Sequence, residues 1–136
     1  MTDAQPIKGV THVSLSVTDL DRSFDFYHRV LGLQVLAPPF DGEVFEGRQV
    51  LLLAGRLAIG LQAHSATDGS RFEPTRTGLD HLALMVSSVA DLEAWAARLD
   101  GEGVTHSEIK PAGAFGQMIE LRDPDGIQIE LHTLEQ

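Results

Sequence analysis

At 136 residues the chain has the length of one compact domain, and 43% hydrophobic content is ordinary for a soluble globular protein. Its formal charge of −10 lacks the basic excess that phosphate-backbone binding requires, which argues against nucleic acid and anionic membranes as partners. With no cysteine there is no disulfide, thiolate metal site or cysteine nucleophile, and with no signal-like or bilayer-length apolar run a cytoplasmic location is expected.

The first predicted strand alternates Val13, Leu15 and Val17 with His12, Ser14 and Ser16. Thr18 or Asp19 can cap the helix that follows, whose apolar stripe is Leu20, Phe24, Tyr27 and Leu31 and whose stop is Gly32. Three strands are expected next, over 33–36, 48–53 and 57–63, with a hairpin turn around Gly55. The polar stretch 64–77, carrying Gly69 and Pro74, reads as a connector. A second strand then sets Leu82, Leu84 and Val86 against His81, Ala83 and Met85. Ser87 or Ser88 can cap a second helix with Leu92, Trp95, Ala96 and Leu99 on one face. Strands over 104–108, 116–121 and 127–132 complete the chain, the last two joined by the "DPDG" turn.

The order is therefore written twice. An offset of 69 residues superposes Gly9 on Gly78, His12 on His81, Leu15 on Leu84 and Val17 on Val86. The expected fold class is α+β: two βαβββ modules, 7–63 and 78–134, form a curved mixed sheet around a central cavity, with the helices outside, in a single domain 1–136. A module of about 60 residues sits near the lower limit for an independent core, so the halves should fold as one unit.

Each helix must cover the Val/Leu parity of its sheet, which turns the other parity toward the shared interior. His12, His81 and Glu130 then look into one cavity. Two imidazoles and one carboxylate make a facial triad that can hold a divalent first-row metal with positions left open for substrate. His81 and Glu130 are 49 residues apart and His12 and Gln62 are 50, so Gln62 is the expected fourth inward donor, with His64 as its rival. A lone strand histidine is more often a hydrogen-bonded residue than a ligand; two at repeat-related positions reverse those odds. His28 and His106 are expected at the surface, and His132 in a structural or supporting role. No phosphate-binding glycine loop or serine elbow is present, and Asp19, Asp21, Asp123 and Asp125 fall where capping and turns explain them.

The stretches "THVSLSVTDLDRSFDFYHRVLGLQV", "GLDHLALMV" and "FGQMIELRDPDGIQIEL" resemble the vicinal oxygen chelate superfamily of glyoxalases, bleomycin-resistance proteins and extradiol dioxygenases. The resemblance runs from about Ile7 to Leu134. It implies a homodimer and one divalent metal (Mn, Fe, Co, Ni or Zn) held by His12, His81 and Glu130. Gln62 falls where glyoxalase-like members carry a Glu or Gln ligand. The implied activity is that of a metal-dependent glyoxalase-like lyase or isomerase, with Glu130 as the residue able to take a proton from carbon, acting on a small substrate that chelates through two oxygens. The alternatives are drug sequestration of the bleomycin-resistance type and extradiol-type dioxygenation. Arg48, Arg71, Arg76 and Lys110 show no clustering in sequence of the kind a phosphonate cage would need.

Overall fold

The computed structural model describes residues 4–135. Eight strands and two helices follow in the order β1 (His12–Ser16), α1 (Leu20–Phe24), β2 (Gln34–Asp41), β3 (Gly47–Ala54), β4 (Leu57–His64), β5 (Leu82–Met85), α2 (Val89–Gly101), β6 (Lys110–Pro111), β7 (Gln117–Arg122) and β8 (Gln128–Thr133). They form two separate four-stranded mixed sheets, ordered β1-β4-β3-β2 and β5-β8-β7-β6, rather than one continuous sheet. In each, the first strand of the module runs parallel to the last, and the rest pair antiparallel.

The caps follow local chemistry. Asp19 accepts the Arg22 amide at the start of α1, and Ser88 accepts the Asp91 amide at the start of α2, each satisfying a backbone donor that has no partner inside the helix. Beyond Phe24 the first helix widens into a π-helical turn, Asp25–Val30. Phe26, Tyr27 and Val30 are buried there, whereas Phe24 is only half-buried. Leu15, Val17, Leu52, Ile59, Leu61, Leu82, Ile119, Ile129 and Leu131 fill the helix-facing parity, and one hydrophobic cluster takes residues from both modules. Full burial of each such side chain contributes about 1.5–3 kcal/mol.

Polar contacts fasten module to module. Arg98 donates through Nε to the Val30 carbonyl at 2.8 Å and through Nη2 to that of Arg29 at 2.7 Å, satisfying carbonyls at the end of the first helix. The fully buried Tyr27 hydroxyl donates to Asp123 Oδ2 at 2.8 Å, and Thr18 donates its amide and its hydroxyl to Asp125. The "DPDG" turn is thus more than a turn. Its two carboxylates clasp the other half of the chain.

Two expected strands differ. β2 continues through Pro38 and Pro39 to Asp41, with register shifts on either side of Ala37. An edge strand can accommodate prolines because its outer amides have no ladder to serve. The expected strand 104–108 is reduced to a single bridge, His106 to Leu121, before the two-residue β6. There Ser107 Oγ, not a backbone carbonyl, accepts the Glu120 amide at 2.9 Å, and this side-chain substitution interrupts the ladder. His106 is accordingly half-buried rather than at the surface, its ring between the Ser107 carbonyl and Asp100. Among the described residues no helix is long and apolar enough to cross a membrane.

Candidate functional site

Strand parity puts His81, Ala83 and Met85 of the second module on the helix-free face with Gln128, Glu130 and His132. Glu130 is buried at 6% exposure, yet its carboxylate is fully engaged. Gln128 Nε2 donates to Oε2 at 2.6 Å, His132 Nε2 donates to Oε1 at 2.8 Å, and His81 Nε2 stands 3.5 Å from Oε1. Burial pushes the Glu130 pKa up, but the hydrogen bonds from His132 and Gln128 and the charges of both rings outweigh it and hold the carboxyl below its ordinary range.

His81 precedes β5, and its Nδ1 donates to Asp80 Oδ1 at 2.7 Å. That bond orients the ring so that Nε2 faces Glu130, as an N–H when the ring is protonated and as a lone pair when it is neutral; in the neutral ring Nε2 and Oε1 are both acceptors. Hydrogen bonding to Asp80 first, then the Glu130 and Asp80 charges, raise the His81 pKa against the opposing effect of burial. Two acceptors facing each other need a proton or a cation between them. Ligands about 2.1 Å from a common divalent ion stand roughly 3.0–3.4 Å apart, so the 3.5 Å gap suits a shared metal.

His12 opens β1 in the first module, exposed, with Nδ1 2.9 Å from Thr11 Oγ1. Among the described residues no three His, Cys, Asp or Glu side chains come together within one chain in a way that could hold a metal ion. His81 and Glu130 therefore meet; His12 does not join them in the single chain.

The pairing register sets Gln62 apart from the position that matches Glu130. Ser14 lies opposite Gly60 and Ser16 opposite Gln62, while Ala83 lies opposite Glu130 and Met85 opposite His132. The counterpart of Glu130 is thus Gly60, and Gln62 corresponds to His132. Gln62 Nε2 donates to Gln49 Oε1 at 3.5 Å on the neighbouring strand. His64 ends β4 with its ring centroid 4.5 Å from that of Phe45.

Asp80, Gln128 and His132 complete the cluster and were not among the expected ligands. The alternation that singles out Glu130 contains Gln128 and His132; Asp80 carries only its position beside His81. Glu120 lies directly opposite Glu130 on β7 and pairs with Lys110 Nζ at 2.5 Å, a partnership between distant residues that has no signature in sequence.

A duplicated βαβββ chain with histidine and carboxylate donors on its helix-free faces has the architecture of the vicinal oxygen chelate proteins. The chain belongs to the glyoxalase/bleomycin resistance protein/dioxygenase superfamily, whose family model matches residues 9–131. A glutathione transferase FosA from Serratia marcescens is 31% identical, over 93% of this chain and 82% of that protein. A lactoylglutathione lyase from Escherichia coli O157:H7 is 32% identical over 88% of each. The crystal structure of a glyoxylase/bleomycin resistance protein/dioxygenase domain from Frankia sp. EAN1pec superposes with a TM-score of 0.80 at 34% identity, covering 94% of this chain and 98% of that one.

Proposed function

We propose that the protein is a metal-dependent glyoxalase-like lyase or isomerase, with His12, His81 and Glu130 as the metal donors. The observation that carries this reading is the gap between His81 Nε2 and Glu130 Oε1, with Asp80, His132 and Gln128 fixing both side chains from behind. A divalent ion bound there would supply Lewis acidity toward two neighbouring oxygens of a small substrate. Asp80 holds the His81 ring. His132 holds Oε1 of Glu130, and Oε2 is the atom proposed to receive a proton from substrate carbon.

We further propose that the site closes between two copies, with the partner's first module supplying the His12 position. A groove of about 340 Å³ lined by His81, Ala83, Met85, Phe115 and His132 supports this. Met85 and Phe115 are 81% and 66% exposed, an apolar surface of the kind a partner covers. Gly60 supports a second reading, transfer of a thiol to a chelated substrate without removal of a carbon-bound proton. It leaves the first module with no carboxylate at the position where the second has Glu130.

One set of experiments tests these readings. Metal content is measured for the wild type and for His12→Ala, His81→Ala and Glu130→Ala, and each variant should lose most of its metal while remaining folded. Light scattering should give about twice the 14.8 kDa chain mass. Mixing His12→Ala with Glu130→Ala and refolding should restore metal to some of the mixed dimers; no recovery would mean that each chain completes its own site. The metal-loaded protein is then given the glutathione hemithioacetal of methylglyoxal in deuterated water. Solvent exchange at carbon supports the isomerase, whereas thiol consumption with an electrophile and no such exchange supports the transferase.

A further inference from the structure

We propose that the connector builds a second ligand site, separate from the Glu130 cluster, in which Arg71 and Arg76 bind the oxyanion of a phosphate or carboxylate group. Arg71 and Arg76 both line one cavity of about 270 Å³ between the connector, the end of β1 and the β7–β8 turn.

Charge balance makes the pairing informative. The chain has 10 Lys and Arg against 20 Asp and Glu, so acidic partners are plentiful. Of the ten, Arg22, Arg29, Arg48 and Lys110 each pair with a carboxylate and Arg98 and Arg122 donate to backbone carbonyls, which leaves Lys8, Arg56, Arg71 and Arg76, of which only Arg71 and Arg76 share a cavity. Among the described residues, neither the Arg71 nor the Arg76 guanidinium has a hydrogen-bond or ion-pair partner; the Arg76 amide donates to the Glu73 carbonyl at 3.2 Å. The acids beside them are committed elsewhere. Asp125 accepts from Thr18 and lies 3.7 Å from Arg22, and Glu73 accepts from the Thr75 amide at 3.3 Å and its hydroxyl at 3.1 Å. Asp68 accepts the Ser70 amide at 2.9 Å and feels the Arg76 charge without pairing with it.

Arg71 also lies against the β7–β8 turn. Gly126 turns the chain at φ +82°, and a Cβ there would lie 2.8 Å from Arg71 Nη2. The missing side chain leaves room for the guanidinium to lie over the turn. A planar fork of donors suits a carboxylate or phosphate better than an ammonium does. The rest of the lining is mixed, with Glu73, Asp125 and several hydroxyls, but Phe72, Leu79 and Ile127 add an apolar side that suits an organic group attached to the anion. Ser16, also in the lining, shares the helix-free parity of His12 and lies about 13 Å further along β1.

The test is a calorimetric titration of the full-length protein with inorganic phosphate at low salt, repeated in Glu130→Ala so that binding at the proposed metal centre is told apart. Saturable binding is expected in both backgrounds, weakened at least tenfold by Arg71→Gln or Arg76→Gln and unchanged by Arg56→Gln, which removes an equal charge elsewhere. Absence of saturation in the wild type, loss of binding in Glu130→Ala, or equal weakening by Arg56→Gln would each overturn the proposal. Phenyl phosphate and benzoate identify the source of the anion: tighter binding of the first assigns a phosphate ester, of the second an organic acid, and of neither a free inorganic anion.

Discussion

The two helix-free faces are built on the same strands and carry opposite chemistry. In the first module the face presents His12, Ser14, Gly60, Gln62 and Gln49, small or neutral side chains apart from one imidazole. In the second, the same positions hold His81, Ala83, Glu130, His132 and Met118, with the Glu120–Lys110 pair beside them. The helix-facing parity did not diverge: Ile59 matches Ile129 and Leu61 matches Leu131, and all four are buried. Duplication left packing to one parity and chemistry to the other. The second module gathers the charge, while the first offers a donor and space.

The sharpest way to break this comparison is to write the second face onto the first. Gly60→Glu alone places a Cβ 2.8 Å from Ser14 Oγ and buries a carboxylate where Ala58 and Gln62 stand in place of Gln128 and His132. It should cost about 3 kcal/mol or more in urea denaturation. Ser14→Ala, which installs the residue found opposite Glu130, should return the steric part of that loss. If Gly60→Glu is as stable as the wild type, the glycine is not needed for space.

A smaller effect tests the support of Glu130 within the second module. His132→Ala removes the donor to Oε1 while leaving all three proposed ligands in the chain, and metal affinity should fall about 10–100-fold. The matching change in the first module, Gln62→Ala, should leave affinity within a factor of about three, since Gln62 faces Gln49. Equal losses in the two variants would return Gln62 to the set of donors.

These asymmetries mark where the sequence stops being legible. The repeat, both caps and the two parities follow from local rules, so the α+β class and the His81–Glu130 meeting can be read directly. The Gly60 register cannot. His81 and Glu130 are 49 residues apart, which from His12 lands on Leu61, a helix-facing residue, and leaves Gly60 and Gln62 equally distant on either side. Only the hydrogen-bonded pairing decides between them, and a slip of one residue in a strand reverses every face. The loss of the 104–108 strand depends likewise on one serine hydroxyl. Clustering of Arg71 with Arg76 depends on a connector that has no periodicity to read.

The clasp between modules should respond less strongly. Burial raises the Asp123 pKa above its ordinary 3.8, opposed by hydrogen bonds from Tyr27 and from the Ile127 and Asp125 amides. A raised value means that the favourable contribution of the acid is present below pH 3.8 and is lost as pH rises through the folded value. Tyr27→Phe deletes a donor to the charged form, so its deficit should be largest at neutral pH, about 1.5–3 kcal/mol, and smaller in acid. A deficit independent of pH would mean that the hydroxyl contributes nothing to the carboxylate's charge.

The smallest expected effect lies at the interrupted edge of the second module. The first module closes that edge with the eight residues of β2, whereas the second has two residues of β6 and one bridge at His106. His106 joins the edge to the helix through the Ser107 carbonyl at 2.6 Å and Asp100 at 2.8 Å. The hydrogen bond to the Ser107 carbonyl, followed by that to Asp100, raises its pKa despite the counter-effect of burial. The folded ring therefore holds its proton more tightly than the unfolded one, whose ordinary value is 6.5. Its contribution is fully present below that value and is lost as pH rises through the folded one. Because Asp100 is 73% exposed, the ion pair contributes only about 0.2–1 kcal/mol. Thermal unfolding of wild type and His106→Asn should therefore differ most at about pH 5.5 and converge toward about pH 8.5. A difference that grows with pH instead would show that the neutral ring holds this edge, and that the second module replaces its missing strand by packing rather than by charge.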